Sequence, residues 1–121
     1  VELQCRHYGR GGTVVGKLVR DKIPEIITRS GRTPHVVTLD EERYRAVLHD
    51  KLLEEAGELR LAQTIQDVID EAADIVEVLF ALARSHGVSL DTITAAAQAK
   101  RAERGGFDMR VWLERIEPGT V

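Results

Sequence analysis

Two pairs of carboxylates are the residues most able to do chemistry in this 121-residue chain. Glu55 and Glu58 form one pair, and Glu71 and Asp74 form the other, each with a spacing of three residues. On a helix, residues three apart are neighbours on one face. At about 100° per residue, Glu55 and Glu71 also fall on the apolar faces of their helices. A carboxylate among apolar side chains is costly unless it is paired or bound to a cation.

A divalent cation is the simplest way to accommodate these groups. If the two helices run antiparallel, the four carboxylates meet across the apolar seam between them. Two unit charges about 4 Å apart repel by about 4 kcal/mol at an effective dielectric of 20. Oxygen ligands favour Mg²⁺ or Mn²⁺ over Zn²⁺. Because Mg²⁺ commonly joins substrate phosphates, the pattern predicts phosphoryl or pyrophosphoryl chemistry with the metal as Lewis acid.

Glu54 precedes the first pair and lies about 100° from Glu55 around the helix. Three roles are open to it: a general base, a contact to a further metal, or a solvated surface residue. A di-iron carboxylate bundle is the nearest chemical alternative to the Mg²⁺ site, but it needs Glu-x-x-His pairs. Since Glu58 and Asp74 stand where the histidines would be, we expect no di-iron site.

The net charge of the chain is −3, but the charge is unevenly distributed: the acidic residues concentrate in 40–77, and basic segments flank them. Such a distribution suits a metal bound beside a polyanionic substrate, while the alternative is that charged helices merely solvate their outer faces. Lys100 and Arg104 share a helix face and could bind phosphate oxygens, but basic residues before Gly105 also suit an ordinary helix C-terminus. The candidate substrate-binding residues are Lys17, Arg20, Lys22, Lys100 and Arg104.

Hydrophobic periodicity and capping residues place these groups on helices joined by short turns. Helices are predicted over 21–30 with Asp21 as N-cap, from 40 to about 62, over 64–85 and over 89–104. A β-prone segment, 35–39, is expected to pair with 109–116. The fold is therefore predicted to be an all-α bundle of the four-helix type with a small two-strand element. The single domain spans 17–116, between a flexible arm over 1–16 and a tail over 117–121.

Composition excludes several classes of function. Aromatic residues make up 4% of the chain, too few for base-stacking platforms, so no polymeric nucleic acid is expected as a partner. No apolar run approaches the roughly 18 residues that a membrane span requires. A single cysteine, Cys5, excludes an internal disulfide, and the first residues lack the pattern of a secretory leader. We therefore expect a cytoplasmic protein.

The acidic motif resembles that of a known superfamily. Glu54-Glu55-x-x-Glu58, twelve intervening residues and Glu71-x-x-Asp74 resemble the signature of the all-α nucleoside triphosphate pyrophosphohydrolases. These include MazG-like proteins, dimeric dUTPases and phosphoribosyl-ATP pyrophosphohydrolase. The flanking segments 17–27 and 100–107 are similar to those of a small branch of house-cleaning enzymes, and the resemblance covers about 17–116.

This resemblance implies Mg²⁺-dependent cleavage of a nucleotide between its α and β phosphates, giving a monophosphate and pyrophosphate. By motif position it implies Glu55, Glu58, Glu71 and Asp74 as metal ligands, with Glu54 as water activator or second-metal contact. It further implies a non-standard or deoxy nucleotide as substrate and a homodimer or homotetramer. Three alternatives stay open: phosphoribosyl-ATP as the substrate, a non-catalytic module that binds a nucleotide or a partner protein, and a plain structural oligomer.

Overall fold

The computed structural model describes residues 16–120, and within that range the chain folds into four helices with no strand. The predicted all-α class is therefore confirmed. The predicted arm over 1–16, Cys5 included, lies outside the described residues except for Gly16. The helices are α1 (Ile23–Arg29), α2 (Glu41–Arg60), α3 (Ile65–Ser85) and α4 (Leu90–Arg104).

The predicted β pair does not form: neither 35–39 nor 109–116 is a strand. Val37 is 86% exposed and Val111 81% exposed, so these two apolar side chains are not covered by other residues within 16–120. Two isolated short strands are marginal in water unless one face packs on a core. The alternation of residue types is real, but among residues 16–120 no sheet or helix packs against either segment.

Side-chain caps determine where three of the helices begin, and these starts lie within a residue of the predicted ones. Asp40, Thr64 and Ser89 each accept a hydrogen bond from the backbone N–H three residues later, at 2.8, 3.0 and 3.2 Å. Such a cap typically stabilises a helix by about 1 kcal/mol. The caps of α2 and α3 therefore fix the registers of the two helices that carry the carboxylate pairs.

Helix α1 begins differently from the prediction. Its N-cap is Lys22 and makes no side-chain cap, whereas Asp21 was predicted. The N–H of Ile23 donates to the carbonyl of Arg20 at 3.0 Å, so Asp21 lies inside a turn and one residue too early to cap. Pro24 in the first turn lacks an N–H and has a backbone angle preset for a helix. Ile23, only 2% exposed, anchors this short helix.

The core lies between α2 and α3, which form an antiparallel hairpin joined by residues 61–64. Arg45, near the start of α2, donates a hydrogen bond to the carbonyl of Ser85 at the end of α3. Leu48 of α2 and Val78 of α3 are buried. Helix α4 contacts α3 much less and buries none of its own residues. The hairpin is thus the element that positions the acidic motif.

Two apolar surfaces of the described chain remain uncovered. The first, the α3 outer stripe, occupies an arc about 100° wide on the side of α3 away from α2. The second is the C-terminal segment 107–116. The members of the stripe are Ile65, Val68, Ile69, Val76 and Leu79, and those of the segment are Phe107, Met109, Val111, Trp112, Leu113 and Ile116, all 41–96% exposed. Among residues 16–120, no helix is both long enough and apolar enough to cross a bilayer.

Candidate metal centre

Three carboxylates converge at the seam of the hairpin. Glu55 comes from α2, and Glu71 and Asp74 come from adjacent positions of one face of α3. One oxygen from each lies within 4.8 Å of the others, a separation at which one cation could contact all three. Glu55 is 2% exposed, although it is an acidic residue. The hairpin therefore brings together members of both predicted pairs.

The donor set fits a hard divalent cation. Oε2 of Glu55 and Oε2 of Glu71 are buried and have no hydrogen-bond partner among residues 16–120. Leaving a buried acceptor unsatisfied costs about 1–3 kcal/mol, and more when the group is charged. A divalent cation would give both oxygens a partner at once. Because all the candidate donors are carboxylate oxygens, Mg²⁺ or Mn²⁺ suits them better than a metal that prefers nitrogen or sulfur.

Electrostatics at Glu71 reflect this crowding. Burial, hydrogen bonding with Glu55 and the negative charges of Glu55, Asp74 and Glu58 together raise the pKa of Glu71 from 4.5 to about 7. Near neutral pH the cluster therefore retains a proton that an isolated glutamate would have released. A metal ligand must be deprotonated, so binding a cation here would be coupled to proton release.

The remaining two acidic residues of the motif have different surroundings. Glu58 is half-buried and lies outside the group of three, yet it is close enough for its charge to raise the pKa of Glu71. Glu54 lies on the neighbouring side of α2, where its carboxylate is 2.7 Å from Nζ of Lys17. Partial burial acts to raise the pKa of Glu54, but Lys17 and Lys51 outweigh it and lower the pKa below 4.5.

Three cations lie against the acidic cluster. Besides the Lys17–Glu54 pair, Arg20 contacts Asp74 at 2.6 Å and Lys51 contacts Glu55 at 3.3 Å. Lys17 and Arg20 were predicted from the sequence, whereas Lys51 was not. Its spacing of four residues before Glu55 was the available signal, because residues four apart share a helix face.

A cleft of about 910 Å³ opens beside the carboxylates, large enough for a ligand of nucleotide size. Arg20 and Lys22 line it, together with Lys51, Glu55, Glu71 and Asp74. Lys100 and Arg104 do not line this cleft, because they are exposed on α4. Within one chain, the structure thus brings one of the two predicted basic clusters to the carboxylates and leaves the other apart from them.

Comparisons with known proteins give one family and one relative. A family model described as phosphoribosyl-ATP pyrophosphohydrolase matches residues 19–101, more than half of the chain. An uncharacterized protein from Mycolicibacterium smegmatis (strain ATCC 700084 / mc(2)155) is 54% identical over 50 residues, which are 41% of this chain and 51% of that protein. The match thus spans about half the length of that curated relative. No solved structure matches the chain.

Proposed function

Because this chain belongs to the phosphoribosyl-ATP pyrophosphohydrolase family, we propose that it hydrolyses a nucleotide between the α and β phosphates, releasing pyrophosphate in a Mg²⁺-dependent reaction. The observation that carries the proposal is the convergence of Glu55, Glu71 and Asp74 to within 4.8 Å, beside a cleft with basic residues on its wall. Acidic residues to hold a cation and basic residues to hold phosphates are what this chemistry requires.

The proposed metal ligands are the four carboxylates of the two pairs. Glu55, Glu71 and Asp74 form the compact part of the site, and Glu58, three residues after Glu55, is proposed as the fourth ligand. When bound, the metal would act as a Lewis acid that stabilises charge on the phosphate oxygens and helps to orient water. Mn²⁺ could replace Mg²⁺, since both accept oxygen ligands.

Glu54 is the proposed water activator, with a second-metal contact as the alternative role. Its carboxylate is ionised at neutral pH and can accept a proton from water, although Lys17 and Lys51 lower its pKa and so make it a weaker base. The contact with Lys17 at 2.7 Å holds that carboxylate in place. Arg20 and Lys22, which line the cleft, are proposed to bind the phosphate oxygens of the substrate.

We further propose that the chain assembles as a homodimer or homotetramer. The α3 outer stripe and the C-terminal segment 107–116 both expose large apolar side chains, which is unusual for a protein that remains a monomer. Stable interfaces bury about 1,200–2,000 Å² in total, and each aromatic side chain can bury roughly 150–250 Å² of this. Lys100 and Arg104, which lie away from their own cleft, would then contact substrate across an interface between copies.

Two substrates remain candidates: a non-standard or deoxy nucleoside triphosphate, and phosphoribosyl-ATP. The family match favours phosphoribosyl-ATP at least as strongly. The test is a pyrophosphate-release assay with both classes of substrate, with Mg²⁺ present and with a chelator. Turnover of either class that stops on chelation supports the proposal. Nucleotide binding without release of pyrophosphate in any reaction would instead identify a non-catalytic nucleotide-binding module.

A further inference from the structure

We propose that Lys51 is the counter-cation of Glu55 in the metal-free protein, and that a divalent cation displaces it. This inference depends on the metal site proposed above, but it concerns a residue outside the acidic motif. Lys51 lies one helical turn before Glu55 on α2, with its Nζ 3.3 Å from Oε1 of Glu55 and 3.5 Å from Oε2 of Glu54. One ammonium group thus contacts two adjacent carboxylates.

Burial makes this contact more important than a surface ion pair. The side chain of Lys51 is 15% exposed and that of Glu55 is 2% exposed, so water screens their charges poorly. Glu55 has Lys51 at one oxygen, whereas its other oxygen has no hydrogen-bond partner among residues 16–120. In the absence of metal, Lys51 therefore provides positive charge to a carboxylate that water barely reaches.

The distances indicate that Lys51 would yield to a divalent cation. Strong charge-assisted N–H···O bonds are about 2.7–2.9 Å long, so a separation of 3.3 Å is loose. Mg²⁺ approaches carboxylate oxygens to about 2.1 Å and carries twice the charge of lysine. It would also repel an ammonium group held beside the same carboxylate. The flexible four-carbon stem of lysine allows the group to move away, and Lys51 already lines the cleft.

Chemical labelling of the wild-type protein tests this displacement directly. Lysine acetylation is followed by mass spectrometry with Mn²⁺ or with a chelator, in the absence of nucleotide. We expect acetylation of Lys51 to become several-fold faster with Mn²⁺, because the amine loses its carboxylate partner and gains a repelling charge. A short lysine-containing peptide added to each reaction serves as the reference for reagent reactivity, and its acetylation rate should not change with Mn²⁺. An unchanged or slower rate at Lys51 would overturn the proposal.

Mn²⁺ binding to variants gives a second readout that does not depend on activity. In Lys51→Met the competing charge is gone, so we expect the Mn²⁺ dissociation constant, measured by electron paramagnetic resonance, to fall about fivefold. Lys51→Arg retains the charge and should remain within about twofold of wild type. Arg84→Met is the matched control, because Arg84 lines the same cleft but pairs with Glu77.

The outcomes separate the two proposals. Wild-type protein that binds Mn²⁺, together with a Lys51→Met variant whose affinity is unchanged or weaker, would overturn the role of Lys51 and leave the metal site intact. Wild-type protein that binds no Mn²⁺ would overturn both. If Lys51→Met does not fold, the labelling of wild-type protein decides, since it requires no substitution.

Discussion

Glu55 illustrates how a single residue links the apolar core to the chemistry of the site. It is in phase with Leu48 and Leu52 on α2, so its position on the seam could be predicted from spacing alone. Spacing also places Lys51 on the same helix face, but its contacts with Glu55 and Glu54 depend on the rotamers of long side chains. The face of a helix on which a residue lies can be read from sequence, whereas the partner of an ionisable group depends on packing.

Removing one carboxylate from the site should abolish activity without unfolding the chain. For Glu55→Gln and for Glu71→Gln we expect pyrophosphate release to fall by at least about 100-fold, because the amide keeps the shape but loses the charge that attracts a cation. Circular dichroism should remain that of the wild type. Glu42→Gln, at an exposed position in the first turn of α2, is the control and should retain full activity. Wild-type rates in both site variants would contradict the assignment.

The raised pKa of Glu71 predicts how stability depends on pH. Between about 4.5 and about 7, the native metal-free protein holds a proton that the unfolded chain has released. The free energy of unfolding should therefore fall as pH rises through this window and level off above it. Urea denaturation in a chelator measures the effect, and Glu71→Gln should show a smaller fall than wild type.

The same pH dependence of stability, measured in saturating Mn²⁺, provides a complementary test of Glu71. A bound cation takes the place of the proton, so the fall in stability between pH 4.5 and 7 should diminish or reverse. Metal-free wild-type protein and Glu71→Gln with identical pH profiles would contradict the raised pKa.

For the secondary-structure elements, features that depend on residues close in sequence could be predicted, whereas features that depend on distant contacts could not. The caps Asp40, Thr64 and Ser89 bond to amides three residues away, so sequence alone could identify them. The cap of α1 was predicted one residue too early, because the backbone turn that ends at Ile23 leaves no signal in residue types. The prediction of a β pair was wrong for a related reason, since strand pairing depends on what covers the two segments.

The cap of α3 should be measurable as a stability increment. Thr64→Ala removes the hydroxyl that accepts a hydrogen bond from the N–H of Asp67 at 3.0 Å. We expect the free energy of unfolding to fall by about 1 kcal/mol, measured by urea denaturation in saturating Mn²⁺. Thr64→Ser retains an acceptor and should lose much less. Equal losses in the two variants would show that the methyl group, and not the cap, is responsible.

For the molecule as a whole, the exposed apolar residues are the main feature that the single chain does not explain. The sequence predicted correctly that the chain forms an all-α fold whose paired helices carry the acidic motif, because that depends on periodicity within each helix. The bare α3 outer stripe could not be recognised in advance. Its aliphatic residues resemble ordinary core residues until the structure reveals that nothing in residues 16–120 covers them.

Assembly predicts concentration-dependent behaviour that a point change should disrupt. Ile69, 55% exposed on the α3 outer stripe, is the site to test. For Ile69→Lys we expect a shift from dimer or tetramer to monomer in sedimentation, because burying a lysine in an apolar interface is costly. Val37→Lys, on a surface outside the stripe and the C-terminal segment, should sediment like wild type. A monomeric wild-type protein at high concentration would contradict the proposal.

Fluorescence offers a second measurement of assembly on unmodified protein. Trp112 is the single tryptophan of the chain and is 86% exposed. If the C-terminal segment packs at an interface, the fluorescence emission of Trp112 should shift to shorter wavelength as protein concentration rises.

The cations around the acidic cluster have a practical consequence for structure determination. Lys17, Arg20 and Lys51 already neutralise part of its charge in the absence of a metal ion. Crystals of chelated protein, like those of manganese-soaked protein, should therefore have defined electron density for Glu54, Glu55 and Asp74. Anomalous scattering at the manganese edge, rather than sharp side-chain density, is then the signal that identifies a loaded site.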